Sequence, residues 1–120
     1  MTERPESSSI FNRRQHERRY LRGVATVVLS PKDSFEVRTL DISAGGMAIV
    51  AAANPRPGTT FSIQVSLPLR PKGFTAIEAR VQVMHSILAS DEQGFKVGLQ
   101  FVSLDAPTAA AVIQYLKAAG

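Results

Sequence analysis

Hydrophobic and polar residues alternate along much of this chain, which is the pattern of β-strands that bury one face. In the clearest run, every second residue from Phe61 to Leu69 is apolar, and the residues between them are Ser, Gln, Ser and Pro. Six strands are predicted in this way, near residues 20–30, 35–42, 46–51, 61–69, 77–87 and 95–101. In the fifth of these runs, His85 and Ile87 continue the apolar face, so His85 is predicted to belong to the core or its rim.

Clusters of turn-forming residues separate the predicted strands. Proline, glycine, asparagine and aspartate concentrate between the runs, as in Asn54-Pro55-Arg56-Pro57-Gly58. Short strands with a turn every eight to twelve residues are typical of an antiparallel barrel or sandwich. Because no strand alternates with a helix, a doubly wound α/β fold is disfavoured.

The C-terminal residues have a helical pattern. Asp105 and Pro107 form a helix start signal. The apolar residues that follow at helical spacing are Ala109, Val112, Ile113 and Leu116. A helix over residues 106–118 is therefore predicted, and its apolar face would cover one end of the barrel.

Length and composition restrict the class of protein. A chain of 120 residues fits one domain and leaves no room for a separate catalytic or DNA-binding domain. The absence of cysteine excludes disulfides, iron–sulfur clusters, thiol nucleophiles and cysteine-bound zinc, and two histidines are too few for a histidine-rich metal site. No apolar run is long enough to span a membrane and no signal-peptide pattern is present, so we expect a cytoplasmic location without membrane insertion.

A block of arginines precedes the first predicted strand. Residues 13–22 contain five of the ten arginines, whereas the body of the chain is nearly neutral. Such a block indicates an anionic partner, and arginine forks suit phosphates and guanine edges. Arg14 and Arg18, four residues apart, could close around a small anion, although a solvated basic segment or a short helix capped by Asn12 is the alternative.

A second cluster lies at the end of the second predicted strand, in Asp41-Ile42-Ser43-Ala44-Gly45-Gly46. The carboxylate of Asp41 could accept hydrogen bonds from guanine, and the Ser43 hydroxyl could bind a phosphate or a base edge. Gly45 and Gly46 would let the backbone approach a ligand closely. The alternative is that Asp41 and Ser43 only organise a turn.

Taken together and in this order, the two clusters resemble the paired motif of the PilZ domain family, reading Arg14-x-x-x-Arg18 and then Asp41-x-Ser43-x-x-Gly46. The resemblance implies a six-stranded antiparallel β-barrel that binds the bacterial second messenger cyclic di-GMP. It further implies that the arginines hold phosphates and guanine edges, and that the second motif holds the guanine side of the ligand.

The resemblance covers roughly residues 12–118 and includes the late strand from Gly94 to Phe101. The residues that it assigns to cyclic di-GMP are Arg13, Arg14, Arg18, Asp41, Ser43 and Gly46, with Arg13 suited to a second stacked nucleotide. The expected division is a disordered tail over 1–11 followed by a PilZ-like domain over 12–120. Within that domain we expect an arginine clamp over 12–19, a barrel over 20–104 and a helix over 106–118.

The predicted function is therefore that of a non-enzymatic bacterial receptor with no cofactor besides its ligand. Because the chain is used up by one domain, it would relay the signal to a separate effector protein, in motility, biofilm or polysaccharide control. A catalytic role is disfavoured because Ser43 has no candidate base in a known motif context. Two alternatives stay open: a basic barrel that binds RNA or DNA, disfavoured by the scarcity of aromatic residues, and a nucleotide-independent protein-interaction domain.

Overall fold

The computed structural model describes residues 18–69 and 71–118, in which six antiparallel strands close into a barrel with one helix after them. The elements in chain order are β1 (Arg19–Ser30), β2 (Asp33–Ile42), β3 (Gly46–Ala51), β4 (Thr60–Pro68), β5 (Phe74–Ala89), a 3-10 turn (Ser90–Glu92), β6 (Gly94–Ser103) and α1 (Ala106–Ala118). The strands are ordered β1-β2-β3-β6-β5-β4 around the barrel. This confirms the predicted antiparallel barrel with a C-terminal helix and excludes the sandwich. The predicted tail and residues 12–17 of the clamp lie outside the described residues.

The barrel interior is filled by one side of each strand, as the alternation predicts. Ile42, Leu67, Val81 and Val97 are completely buried, and burying each such side chain stabilises the fold by about 1.5–3 kcal/mol. All six residues of β3 are buried, so this strand is covered on both faces.

The apolar face of β5 ends earlier than predicted. Val83 still belongs to the core, but a β-bulge between Val83 and His85 shifts the pairing with β6 by one residue. A one-residue shift moves the following side chains to the opposite face. The prediction for His85 and Ile87 was therefore wrong, since both are exposed.

Helix α1 packs at the barrel end where β2 turns into β3. Val112 is buried in the core and the helix contacts β4 and β5. Asp105 caps the helix, because its carboxylate accepts a hydrogen bond of 2.8 Å from the backbone N–H of Thr108. Hydrogen bonds from the side chain and the backbone of Thr108 hold the pKa of the Asp105 carboxyl below its ordinary value. Among the described helical residues, no helix is long and apolar enough to cross a membrane.

The same helix is fastened to the beginning of β1. The Tyr115 hydroxyl donates a hydrogen bond of 2.9 Å to the backbone carbonyl of Tyr20. The guanidinium of Arg19 lies 5.4 Å from the centre of the Tyr115 ring, which is cation–π distance. These two contacts join Tyr115 to residues 95 and 96 positions earlier in the sequence, and they hold the start of β1 against the helix.

Candidate ligand-binding site

The two predicted motifs meet because β1 and β2 pair in opposite directions. The start of β1 lies beside the end of β2, so that Tyr20 is directly opposite Asp41. Arg18, immediately before β1, donates a hydrogen bond of 2.7 Å from Nη1 to Oδ1 of Asp41. The structure thus brings together two of the predicted site residues that are separated by 23 positions in the sequence.

This ion pair is open to solvent on one side. The Arg18 side chain is 51% exposed and that of Asp41 is 21% exposed, so both retain unused hydrogen-bonding capacity. They line a shallow pocket of about 350 Å³ together with Arg19 and Tyr20. Side by side, the pair offers donors from a planar guanidinium and an acceptor from a carboxylate, the combination that a polar aromatic base with both donors and acceptors requires.

Aromatic and cationic side chains surround the pair. Tyr20 is 77% exposed, which is unusual for a large aromatic ring, and the Arg22 guanidinium lies 5.4 Å from its centre. Among the described residues around the pocket, Arg18, Arg19 and Arg22 outnumber the single carboxylate of Asp41, so this part of the surface favours an anion. Tyr20 was not predicted as a site residue. The signal in the sequence was that Tyr20 directly precedes the apolar Leu21 in a predicted strand. Successive side chains of a strand point to opposite faces, so Tyr20 lies on the outer face when Leu21 is buried.

Ser43 is placed differently from Asp41. Its side chain is buried, and its hydroxyl accepts a bond of 3.2 Å from the Gly45 N–H while lying 3.3 Å from the Gly46 carbonyl. The Ser43 N–H donates to that same carbonyl at 2.8 Å. Ser43 thus organises the turn, as the alternative interpretation of the sequence proposed. The Asp41 carboxylate instead accepts the hydrogen bond from Arg18. A ligand contact of Ser43 stays a prediction.

Gly46 is required by the packing of two strands. A Cβ atom at this position would lie 2.0 Å from the carbonyl oxygen of Leu99 on β6, which no side chain can tolerate. The adjoining Gly45 carbonyl accepts a hydrogen bond of 2.9 Å from the Phe101 N–H. Gly46 therefore shapes the β2–β3 turn beside the site, and direct contact with a ligand stays a prediction.

The remaining predicted residues, Arg13 and Arg14, lie outside the described residues. Within 18–69 and 71–118, no three histidine, aspartate or glutamate side chains come together in a way that could hold a metal ion. Among the described residues, the pocket therefore offers the guanidinium groups of Arg18 and Arg19, the Asp41 carboxylate and the exposed ring of Tyr20.

Comparison with known proteins gives a family and a fold. The family model of the PilZ domain matches residues 12–118. Curated proteins give no significant match. Among solved structures, the Inhibitor of motility MotI/DgrA from Bacillus subtilis superimposes with a TM-score of 0.76 at 21% identity, over 88% of this chain and 50% of that one.

Two structures of YcgR from Escherichia coli have the same fold. YcgR in complex with c-di-GMP matches with a TM-score of 0.69 at 15% identity, over 89% of this chain and 46% of that one. The PilZ domain of YcgR with c-di-GMP matches with a TM-score of 0.62 at 13% identity, over 88% of this chain and 90% of that one. The chain thus spans about half the length of MotI/DgrA and of the longer YcgR chain.

Proposed function

The chain belongs to the PilZ domain family, and from this premise we propose that it binds cyclic di-GMP at the pocket formed by Arg18, Arg19, Tyr20 and Asp41. The observation that carries the proposal is the Arg18–Asp41 pair of 2.7 Å at the mouth of that pocket. Support comes also from the two YcgR structures of the same fold, which contain c-di-GMP.

The chemistry of the pair suits guanine. A guanidinium donates to the O6 and N7 acceptors of guanine, and a carboxylate accepts from its N1–H and exocyclic amine. Adenine carries an amine where guanine carries O6, and it lacks the N1–H donor. The pair therefore favours guanine over adenine, and the excess of guanidinium groups favours a ligand with phosphates.

Isothermal titration calorimetry with cyclic di-GMP tests this site. Arg18→Ala and Asp41→Ala should each weaken binding about ten- to a hundredfold, since a hydrogen bond to a charged group contributes about 1.5–3 kcal/mol. Asp41→Ala should also narrow the preference for cyclic di-GMP over cyclic di-AMP. The matched control is Arg56→Ala, which removes an exposed arginine from the loop between β3 and β4, at the opposite end of the barrel.

Binding that is unchanged in Arg18→Ala and Asp41→Ala would contradict the proposed site. A salt series separates it from the nucleic-acid alternative. Affinity for RNA or DNA falls steeply with salt because many phosphates are neutralised, whereas a ligand with two phosphates and base-edge contacts should lose much less.

The second part of the proposal is that the bound form passes the signal to a separate effector protein. By linkage, a partner that prefers the liganded chain must tighten nucleotide binding by the same factor. Capture of partners with and without cyclic di-GMP, with Arg18→Ala as the binding-deficient control, tests the relay. A partner captured equally in all three conditions would contradict it for that partner.

A further inference from the structure

Strand β5 continues well past the point where its neighbour β4 begins. β5 has 16 residues and β4 has nine, and the ladder between them reaches only to Gln82. The loop before β4 adds two backbone hydrogen bonds, from the Gly58 N–H to the Val83 carbonyl at 2.7 Å and from the Val83 N–H to the Thr59 carbonyl at 2.8 Å. Beyond Val83, the only neighbouring strand among the described residues is β6. Residues 84–89 are therefore a β5 overhang with one open edge.

The open edge of the β5 overhang carries backbone groups that can bind another strand. The N–H and C=O groups of a strand point alternately to its two sides, and the ladder with β6 uses those on one side. Those on the other side have no backbone partner in the part of the chain that the structure describes. Such an edge is a template for a further strand, which would lie beside β5 in line with β4.

The β5 overhang lacks the charges and prolines with which proteins commonly protect a sheet edge. Between Arg80 and Asp91 the sequence contains no lysine, arginine, acidic residue or proline. The large side chains of the overhang are instead apolar and exposed, at 50% for Met84, 59% for Ile87 and 68% for Leu88. Because successive side chains of a strand alternate, Ile87 and Leu88 lie on opposite faces, and an added strand would cover apolar surface on both.

Charges at the two ends of the β5 overhang fit an antiparallel copy of the same strand. Before the overhang, the Arg80 guanidinium donates to the hydroxyls of Ser62 at 3.5 Å and Thr60 at 3.3 Å, so it extends over the start of β4. After the overhang, Asp91 is exposed. A second copy running antiparallel would set the basic end of each strand beside the acidic end of the other, whereas a parallel copy would set like charges together.

The apolar residues fit the same arrangement. In the register that sets Arg80 of one copy opposite Asp91 of the other, Met84 of one copy is opposite Ile87 of the other. Apolar pairs directly across two strands stabilise a sheet. The charges and the apolar side chains therefore agree on one register.

We infer that two copies of this chain associate by antiparallel pairing of their β5 overhangs about a two-fold axis. The pairing joins the two barrels through backbone hydrogen bonds between strands, with the Arg80–Asp91 contact formed twice. Strands β6 and β3 separate the overhang from β2, so the Arg18–Asp41 pair of each copy takes no part in the contact. The inference does not depend on nucleotide binding.

Sedimentation velocity of the full chain without nucleotide measures the association. The contact would bury on the order of 1,000 Å² in total, which is the lower limit of specific interfaces and typical of weak dimers. Over a concentration series from about 1 µM to about 1 mM, the mass should rise from the 13.0 kDa of one chain toward twice that value.

Leu88→Lys tests the surface that is used. It should raise the dissociation constant about tenfold or more, because it replaces apolar contact with two like charges close to each other. Phe74→Lys is the matched control. Phe74 lies on the same strand and is 70% exposed, but it is opposite Pro68 in the ladder with β4. Phe74→Lys should therefore dimerise as the unchanged chain does.

Exchange of the end charges tests the orientation. Arg80→Glu and Asp91→Lys should each weaken the dimer about two- to tenfold, because each sets like charges together at both ends of the contact. The double variant Arg80→Glu, Asp91→Lys should regain most of the affinity, since it restores opposite charges across the interface.

Amide hydrogen exchange gives a readout that is specific for strand pairing. Exchange within residues 84–89 should slow as the concentration of the unchanged chain rises, because edge N–H groups become hydrogen-bonded. In Leu88→Lys the exchange of the same residues should be independent of concentration.

Four results overturn the inference. They are a monomer throughout the concentration series, a Leu88→Lys dimer as strong as that of the unchanged chain, a double charge variant that regains no affinity, and an overhang whose exchange does not depend on concentration. Protection of the overhang in a monomer would mean that a segment of the same chain covers the edge, and the second copy would be wrong. The proposed function is unaffected by all of these results, since no nucleotide is present in the measurements.

Discussion

Substitution of Gly46 by alanine should destabilise the barrel. Any loss of ligand binding in this variant should be a consequence of the destabilised fold. The added Cβ atom would lie 2.0 Å from the Leu99 carbonyl oxygen and 3.0 Å from the carbonyl carbon. An ordinary carbon–oxygen contact is more than 1 Å longer than the first distance. The obstacle is the backbone of β6, so β3 and β6 would have to separate where Gly46 pairs with Gln100.

The expected cost follows from what must move. Overpacking of a core costs about 1–3 kcal/mol, and we expect the upper part of that range because a backbone ladder, rather than a side chain, has to shift. For a domain of this size, the melting temperature should fall by about 5–20 °C. Gly23→Ala is the matched control, since its nearest neighbour would be Thr39 Oγ1 at 3.8 Å, an ordinary contact. That variant should be neutral or slightly stabilising.

Urea denaturation and calorimetry on the same samples separate packing from recognition. If Gly46→Ala unfolds at distinctly lower urea than Gly23→Ala, the packing role of Gly46 is supported. If Gly46→Ala is as stable as the unchanged chain and has nevertheless lost cyclic di-GMP, Gly46 is a ligand contact and the steric argument is refuted.

Two further substitutions test the supports of the site. Thr39→Val should lower the free energy of unfolding by about 1–3 kcal/mol in urea denaturation, because the buried hydroxyl donates to the Leu21 carbonyl, which would be left unpaired; an unchanged midpoint would contradict this. At neutral pH, Asp105→Asn should melt at a lower temperature than the unchanged chain, because the hydrogen bonds from Thr108 stabilise the ionised carboxylate, as the lowered pKa of Asp105 indicates. A carboxyl group whose pKa is lower in the folded state stabilises the fold at pH values above its unfolded pKa, and this stabilisation is lost as pH falls through the folded pKa. The difference in melting temperature between Asp105→Asn and the unchanged chain should therefore shrink below about pH 4. A difference that is constant with pH would refute the assignment.

How far the sequence predicts this structure depends on whether each signal is local. The alternation from Phe61 to Leu67 appears directly as buried side chains, because β4 is regular. The alternation through Val83 to His85 fails, because one extra residue at a bulge reverses the face and carries no compositional mark. Periodicity predicts which face a residue occupies only as long as the strand pairing stays in register.

The candidate site shows the same limit. The resemblance carried by the two motifs assigned Arg18 and Asp41 to one ligand site but did not predict that they pair with each other. The antiparallel pairing of β1 with β2 gives the physical reason for their proximity. Turn organisation by Ser43 was one of the two alternatives that the sequence left open. The packing role of Gly46 could not be predicted, because it depends on the approach of β6 to β3. Contacts between strands that are distant in sequence leave no local pattern.

The contact between β1 and β4 gives the closed barrel a line along which it can open. Four residue pairs, from Ala25 opposite Val65 to Val28 opposite Ser62, join these strands. This is as few as join β2 to β3, and fewer than half of the nine that join β4 to β5. Regions with few cross-strand bonds open locally at lower free energy than global unfolding. At Tyr20, β1 is paired with β2 but no longer with β4. There the hydrogen bond from Tyr115 to the Tyr20 carbonyl holds the start of β1 in place. A nucleotide bound to Arg18 would stabilise the start of β1. Ligand binding should therefore slow amide hydrogen exchange in the residues that pair β1 with β4.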